Sequence, residues 1–499
     1  MNALSHPYVR VADERRSPFI PIPMVLRVLL VLIVLIYWGV QTLATLQLAV
    51  PNALLLIAGN ALVLLGYVLP LWAPRMNGYF HPVVYISLFT LLMHAIKKTG
   101  IQIHGLSTHI ALPELGPYEL NEVHFFVCVL FFVSQIATIG GYYLGGLLPA
   151  SSLIKFRQRA NSLLVPGVFL WLTIGACSLV LLVLLTGGIK EHILNLARGR
   201  SQEVYEGDSS FVGTLQVFTT FALGAACVLA ATPPKIGRSL FLPFVVISAI
   251  VLEYMVSGKR SDPMMAILII GSVWIVRRQQ FSFTLVLVIV LTGFLMLSVG
   301  RLFRKANFRG QGSVSTDFLQ GESASSLMNN AMTELSSRSG EGGAIYPIVY
   351  RVPGEVSMLF GQSYAEFLFR FIPRAIWKSK PNGIGRQCAW VFFGDLKGIP
   401  PGSIGEAYWN LHVPGVIGVF TCWGVFLRVL AETFLRYQTA PGMIAIYVVT
   451  LVLLRPDHNG YREWLHLIAP IVLLTFLVGL SSLGGATARQ YAKVSGDAT

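Results

Sequence analysis

Uninterrupted apolar runs of about 20 residues recur along this chain, and that is the length of α-helix that crosses roughly 30 Å of hydrocarbon. "ALLLIAGNALVLLGYVLPL" from Ala53 and "FSFTLVLVIVLTGFLMLSVG" from Phe281 are two of them. Over 499 residues, 54% are hydrophobic and 12% charged, where a soluble globular chain carries about 25% charged residues. Strands of a membrane barrel would alternate apolar and polar side chains over about 10 positions, and no stretch here does so. The expected fold class is all-α, a polytopic helical membrane protein.

The pattern predicts about twelve spans. Their limits are 24–42, 53–71, 82–96, 123–146, 163–186, 211–231, 240–256, 263–276, 281–299, 413–431, 442–454 and 466–484. The chain reads as one integral membrane domain, 1–499, with a large late loop or cap at 300–412. Arg10, Arg15 and Arg16 precede the first apolar run, Arg27 lies at its start, and no small-residue cleavage site follows it, so that run reads as a retained span.

Short-loop cations set the orientation. With both termini cytoplasmic, the inner loops carry Arg75, the Lys155–Arg157–Arg159 cluster, Lys235 and Arg238, Arg277 and Arg278, and Arg436. The outer face then receives Lys259, Arg260, Arg455, Arg462 and the whole of 300–412, because long loops translocate regardless of charge. The net charge of +14 is spread over both faces, which fits anionic headgroups or a phosphorylated lipid better than nucleic acid. Four of the five cysteines lie in apolar runs. Cys388 alone lies in the outer loop, so no internal staple is expected there.

A structureless loop longer than about 15 residues is usually functional or disordered, and 300–412 turns from polar to semi-apolar along its length. "FRFIPRAIWKSKPNGIG" holds Arg370, Arg374, Lys378, Lys380 and Arg386. Spacing of four places Arg370, Arg374 and Lys378 on one helix face, although Pro373 favours a break there. Plain headgroup snorkelling is the alternative. In "SGKRSDP", Ser261 or Asp262 can cap a helix whose first turn holds Pro263. Free N–H groups and the helix dipole would then face an anion beside Lys259 and Arg260; a capped, solvated hairpin is the competing reading.

"NLARGRSQEVYEG" adds Arg198 and Arg200, equally consistent with a solvated turn. "LLRPDHNGYREW" packs Arg455, Asp457, His458, Arg462 and Glu463 into a hairpin that an ion-paired loop also explains. In "PGSIGEAYWNLHVPG", Ser403 and Glu406 match a capping box. The functional reading has Glu406, Asn410 and Tyr408 or His412 lining a site above the tenth span, with Pro414 breaking or restarting the helix.

No phosphate-cradling GxxxxGK or GxGxxG element precedes a helix, and no D-x-D pair or metal spacing appears; no cofactor and no metal are expected. Acidic residues are nearly absent from the spans, where coupled transporters place charge pairs. Gly141 and Gly145 have the spacing of close helix contact.

"FIPRAIWKSKP" resembles the I-P-R-x-x-W-x-x-K-P element of bacterial oligosaccharide repeat-unit polymerases, the Wzy-type O-antigen polymerases. "GSIGEAYWNLHVPGVIGVF" is similar to their G-S-x-x-G-E-x-Y-x-N-x-G-x-x-G stretch at the outer end of a late span, and "SGKRSDPMMAIL" to their short S-x-R-x turn. The chain departs from that pattern with His412-Val413-Pro414, where a glycine-led stretch is more usual. The motifs cover about a tenth of the chain.

The resemblance implies a GT-C-like glycosyltransferase at the periplasmic face of the bacterial inner membrane. Its substrate would be an undecaprenyl-pyrophosphate-linked oligosaccharide, and its partners membrane lipid, a chain-length regulator and a flippase. The Arg and Lys clusters, Arg260 and Arg374 foremost, would hold the pyrophosphate without a metal. Glu406, then His458, are the candidates for acceptor activation. An O-antigen ligase fits the same features. A lipid-linked oligosaccharide flippase is the non-enzymatic rival, but it would place cations between two similar halves, and no such similarity is present.

The cation count predicts sidedness. A cysteine introduced near Gly312 should react with a membrane-impermeant maleimide from the periplasm, and one near Arg277 should not. The reverse labelling would invert the orientation.

Overall fold

The structure, a computed structural model, describes residues 19, 21–47, 52–74, 76, 78–92, 117–147, 164–198, 209–232, 241–257 and 261–280. It further describes scattered positions between 284 and 327, then 344–368, 377, 383–394, 398–438, 440–454 and 464–476. Every regular element among the described residues is a helix. In chain order these are α1 (Met24–Gln47), α2 (Ala53–Val68), α3 (Pro82–Leu92), α4 (Pro117–Gly145) and α5 (Leu164–Leu185). Next come α6 (Ile189–Arg198), α7 (Ser209–Ala231), α8 (Phe241–Ser257) and α9 (Ser261–Arg278). The late part holds α10 (Ile345–Arg351), α11 (Gln362–Leu368), α12 (Ile384–Phe393), α13 (Gly402–Arg436), α14 (Pro441–Leu453) and α15 (Trp464–Phe476). Further helical positions fall between 284 and 302.

Five helices, at Met24–Gln47, Ala53–Leu71, Glu119–Gly145, Val165–Leu185 and Gly402–Arg436, are long and apolar enough to cross a membrane. Shorter apolar helices lie at Pro82–Leu92, Val217–Ala231, Phe241–Val256, Pro441–Leu453 and Trp464–Phe476. α1 illustrates the solvent these surfaces suit: Val25 is 80% and Ile36 66% exposed, and Gln41 is its one described buried residue. A helix apolar on every side satisfies its own backbone and offers a hydrocarbon solvent only side chains that match it.

α7 runs through the middle of the bundle, touching α5, α8, α9 and α14. Its buried residues Ala222, Ala225, Ala226 and Ala230 are small enough to let several neighbours approach closely.

α4 and α13 form the closest pair. A Cβ added at Gly141 would lie 2.1 Å from the Thr421 carbonyl oxygen, and one at Gly424 would lie 2.1 Å from that of Thr138. One at Gly145 would meet the Arg428 Cβ at 2.9 Å. The matching order of these contacts makes the two helices parallel, backbone against backbone. Gly141 and Gly145 act as their spacing implies.

The late segment is a packed layer at the N-terminal end of this pair. α10 sits on α4 and α13, and α11 touches α13. α12 buries Ile384, Cys388, Ala389 and Phe392, the one-sided stripe of an amphipathic helix, and ends on Gly394 at φ 62, a left-handed cap that glycine favours. Ile384, Cys388 and Phe392 join Val127, Leu130, Ile348, Trp409 and Phe420 in a second core. The span expected at 413–431 is therefore the lower part of a longer helix, whose upper part is the floor of this layer.

Gly141→Ala and Gly424→Ala should each cost about 1–3 kcal/mol by overpacking, read as a lower thermal midpoint of the detergent-solubilised protein. At Gly140 an added Cβ meets nothing within 4 Å, so Gly140→Ala should match the parent.

Candidate functional site

α13 is two helices joined at a corner. Leu411 (φ −143, ψ 24) and His412 (φ 57, ψ −148) are non-helical, and Pro414 follows in the first turn of the lower half. Pro414 has no N–H to give the Asn410 carbonyl, its partner in an unbroken helix. That carbonyl accepts instead from the Phe360 N–H at 3.0 Å, and the Trp409 carbonyl accepts from Leu359 N–H, also at 3.0 Å. The strap 357–363 thus supplies the donors that the corner takes away. Gly415 turns in tightly below it: an added Cβ would stand 2.3 Å from the Ala407 carbonyl oxygen.

Asn410 fastens the strap to the upper half-helix. Its Nδ2 donates to Ser363 Oγ at 2.8 Å and to the Glu406 carbonyl at 2.7 Å. Its Oδ1 accepts from the Gly361 N–H at 2.9 Å. Trp409 Nε1 donates to the Ser357 carbonyl at 3.2 Å, with its ring edge-on to Phe392 at 4.9 Å. Gly361 lies at φ 86, a left-handed conformation that suits glycine.

Of the residues expected at this site, Glu406, Tyr408 and Asn410 all sit in the upper half-helix, 2%, 2% and 0% exposed respectively. Glu406 is not half of a capping box. Pro401 occupies the cap position without a side-chain cap bond, and Ser403 is already the second helical residue. The Pro400–Pro401 pair and Gly402 at φ 72 start the helix before Ser403 can serve as its cap. Asn410 faces the strap, and Glu406 lies one turn before it on the same face of the half-helix. Tyr408 points the other way, towards α4, with Phe126 edge-on at 6.1 Å. Its hydroxyl is hydrogen-bonded to His412 Nε2 at 2.5 Å.

Arg386 lies exposed in the first turn of α12. Arg198 is the last residue of α6. α6 is strongly one-sided, and His192 anchors it to the end of α8, with Nε2 at 2.7 Å from the Met255 carbonyl oxygen. This brings α6 beside the end of α8 at Ser257, where the "SGKRSDP" turn begins. Arg200, Lys259, Arg260, Arg370, Arg374 and Lys380 lie outside the described residues, as do Arg455, His458 and Arg462.

Sequence reasoning passed over a second polar pair beside the layer. His124 Nδ1 and the Tyr346 hydroxyl are hydrogen-bonded at 2.7 Å, with the two rings stacked at 5.8 Å. Burial pushes the Tyr346 phenol well above its ordinary range, so it stays protonated. The i,i+4 spacing of His124 and Cys128, whose Sγ lies 3.5 Å from Nε2, was the signal available. Cys388, wholly buried, has its thiol pushed up to about 12 by the same cause. No group of three or more His, Cys, Asp or Glu that could hold a metal ion occurs among the described residues.

A non-glycine residue held in a conformation such as that of His412 costs on the order of 1–3 kcal/mol, which the strap and the α4 contact offset. Asn410→Ala would orphan the Gly361 N–H, at about 1–3 kcal/mol for one buried group. The expected readout is a lower thermal midpoint together with faster amide hydrogen exchange at Leu359, Phe360 and Gly361. Unchanged exchange at those amides would mean that the strap holds without Asn410. Set against known proteins, the chain matches no family model, no curated protein and no solved structure.

Proposed function

We propose that this chain is a glycosyltransferase of the bacterial inner membrane, with about twelve spans in a GT-C-like arrangement. It polymerises undecaprenyl-pyrophosphate-linked oligosaccharide repeat units at the periplasmic face. The observation that supports this best is the corner in α13. There a packed extramembrane layer meets an apolar helix, and polar side chains gather beside a surface that a lipid-linked substrate can reach.

In this reading a sugar hydroxyl of one lipid-linked unit attacks the anomeric carbon of the glycan on another, and the lipid pyrophosphate leaves. Charge grows on that leaving group, and planar Arg forks suit its oxygens. Arg260 and Arg374 are the first choices for the clamp, with Lys259 and Arg198 beside them, and no metal is needed. The acceptor hydroxyl requires a carboxylate or imidazole. Glu406 and His458 are the sequence's candidates, and Glu406, at 2% exposure, could serve only after a movement that uncovers it. A flippase delivers the units and a chain-length regulator sets when growth stops.

Purified protein given lipid-linked repeat units should yield a ladder of polymers by mass. A single transfer to a lipid A core acceptor would make it a ligase, and movement of the unit without bond formation a flippase. Charge-assisted phosphate contacts contribute about 1.5–3 kcal/mol, so Arg374→Ala should slow turnover about ten- to a hundredfold. Arg374→Lys should fail to restore it, since Lys lacks the planar fork. Parental turnover in a well-folded Arg374→Ala protein would leave Arg374 a headgroup anchor.

A further inference from the structure

His412 occupies a backbone conformation that glycine would adopt freely. Four described non-glycine residues have positive φ, and they are not alike. Asn52, at φ 52 and ψ 35, is a left-handed helix cap, a well that asparagine tolerates. His412, at φ 57 and ψ −148, lies outside that well, in territory that belongs almost entirely to glycine. A corner alone needs no side chain there. The imidazole, however, makes a contact that glycine could not.

One ring nitrogen is held, and the other has no partner among the described residues. Nε2 is 2.5 Å from the Tyr408 hydroxyl, and the two rings lie 4.3 Å apart. Tyr408 is itself buried and fixed by Phe126, so it sets the orientation of the imidazole. Nδ1 makes no hydrogen bond among the described residues, and His412 is half-buried at the edge of the layer. The exposed Leu411 and Pro414 flank it, where the chain passes into its apolar half. A histidine oriented through one nitrogen presents the other as a defined proton acceptor.

Resting on the glycosyltransferase reading above, we propose that His412 Nδ1 takes the proton from the acceptor sugar hydroxyl, with Tyr408 as its positioning residue. Nε2–H donates to the Tyr408 hydroxyl oxygen, which leaves the lone pair on Nδ1. As the acceptor oxygen forms its bond to the anomeric carbon, the bond from that carbon to the pyrophosphate oxygen breaks. Both electrons of that bond leave with the lipid pyrophosphate. The hydroxyl proton passes to Nδ1, giving an imidazolium that later releases it to water. This assigns acceptor activation to the Tyr408 face of the half-helix and leaves the Glu406 face to the strap.

The test uses full-length purified protein, a lipid-linked repeat unit as probe, and the thermal midpoint in the same detergent. His412→Gly relieves the backbone, so its midpoint should equal or exceed the parent's. Its kcat should fall about 10²- to 10⁴-fold with KM little changed. His412→Gln, which keeps a donor for Tyr408 but no base, should fall as far. Tyr408→Phe should lower kcat by a smaller factor. Polymer at the parental rate from His412→Gly, or a lower midpoint in that variant, overturns the inference while an active parent keeps the polymerase reading. A parent that builds no polymer from any lipid-linked unit overturns both.

Discussion

A helix can be broken beside a hydrocarbon phase only where protein supplies the hydrogen bonds that the break removes. In α13 that exchange is local and complete enough to trace. The Asn410 carbonyl loses its helical partner to Pro414 and gains the Phe360 N–H, while the Trp409 carbonyl gains Leu359. Two consecutive N–H groups can reach two consecutive carbonyls because the strap turns through Phe360 at φ 47 and Gly361 at φ 86. Asn410 then ties side chain to strap and to its own helix. The corner, the strap and the buried amide form one unit, and the placement of Tyr408 and His412 follows from it.

The unit stands on a fixed base. Glycine at 141 and 424 brings α4 and the lower half of α13 to backbone contact, and polar contacts pin both ends of α4. At the upper end His124 meets Tyr346 of the layer. At the lower end Tyr142 bonds His81 at 2.8 Å, and the Arg428 guanidinium lies over its ring at 5.2 Å. Charges among apolar helices are expensive unless paired. Arg428 meets that requirement by donating to Glu432 at 2.7 Å. Phe19, packed on His81, closes this end with an apolar residue from ahead of α1.

How far the sequence could be read depended on the range of the interaction. The helices were legible because apolar length is a property of each segment alone: the stretch read as 163–186 is Leu164–Leu185, and 442–454 is Pro441–Leu453. A corner near Pro414 was legible from the proline. The strap was not, because Ser357 and Ser363 find Trp409 and Asn410 across roughly fifty residues of chain, and no local pattern encodes that pairing. The capping box misled for a related reason. Ser403 and Glu406 have the right spacing, but the two preceding prolines and Gly402 decide where the helix starts. Likewise the upper layer, polar at its start in sequence, carries a true core around Trp409 because α12 and α10 bring apolar stripes from distant segments.

The geometry of a half-helix also divides its labour. Tyr408 and Asn410 are two residues apart, about 200° around the axis, so one faces α4 and the other the strap. Glu406 belongs with Asn410, and His412 with Tyr408. Lifting the strap would strip donors from the Trp409 and Asn410 carbonyls beside an apolar surface, a cost of several kcal/mol for each group left unpaired. Strap and half-helix therefore move together. Among the described residues no backbone hydrogen bond crosses from the Tyr408 face to α4, so a displacement on that side opens space at the cost of side-chain packing alone.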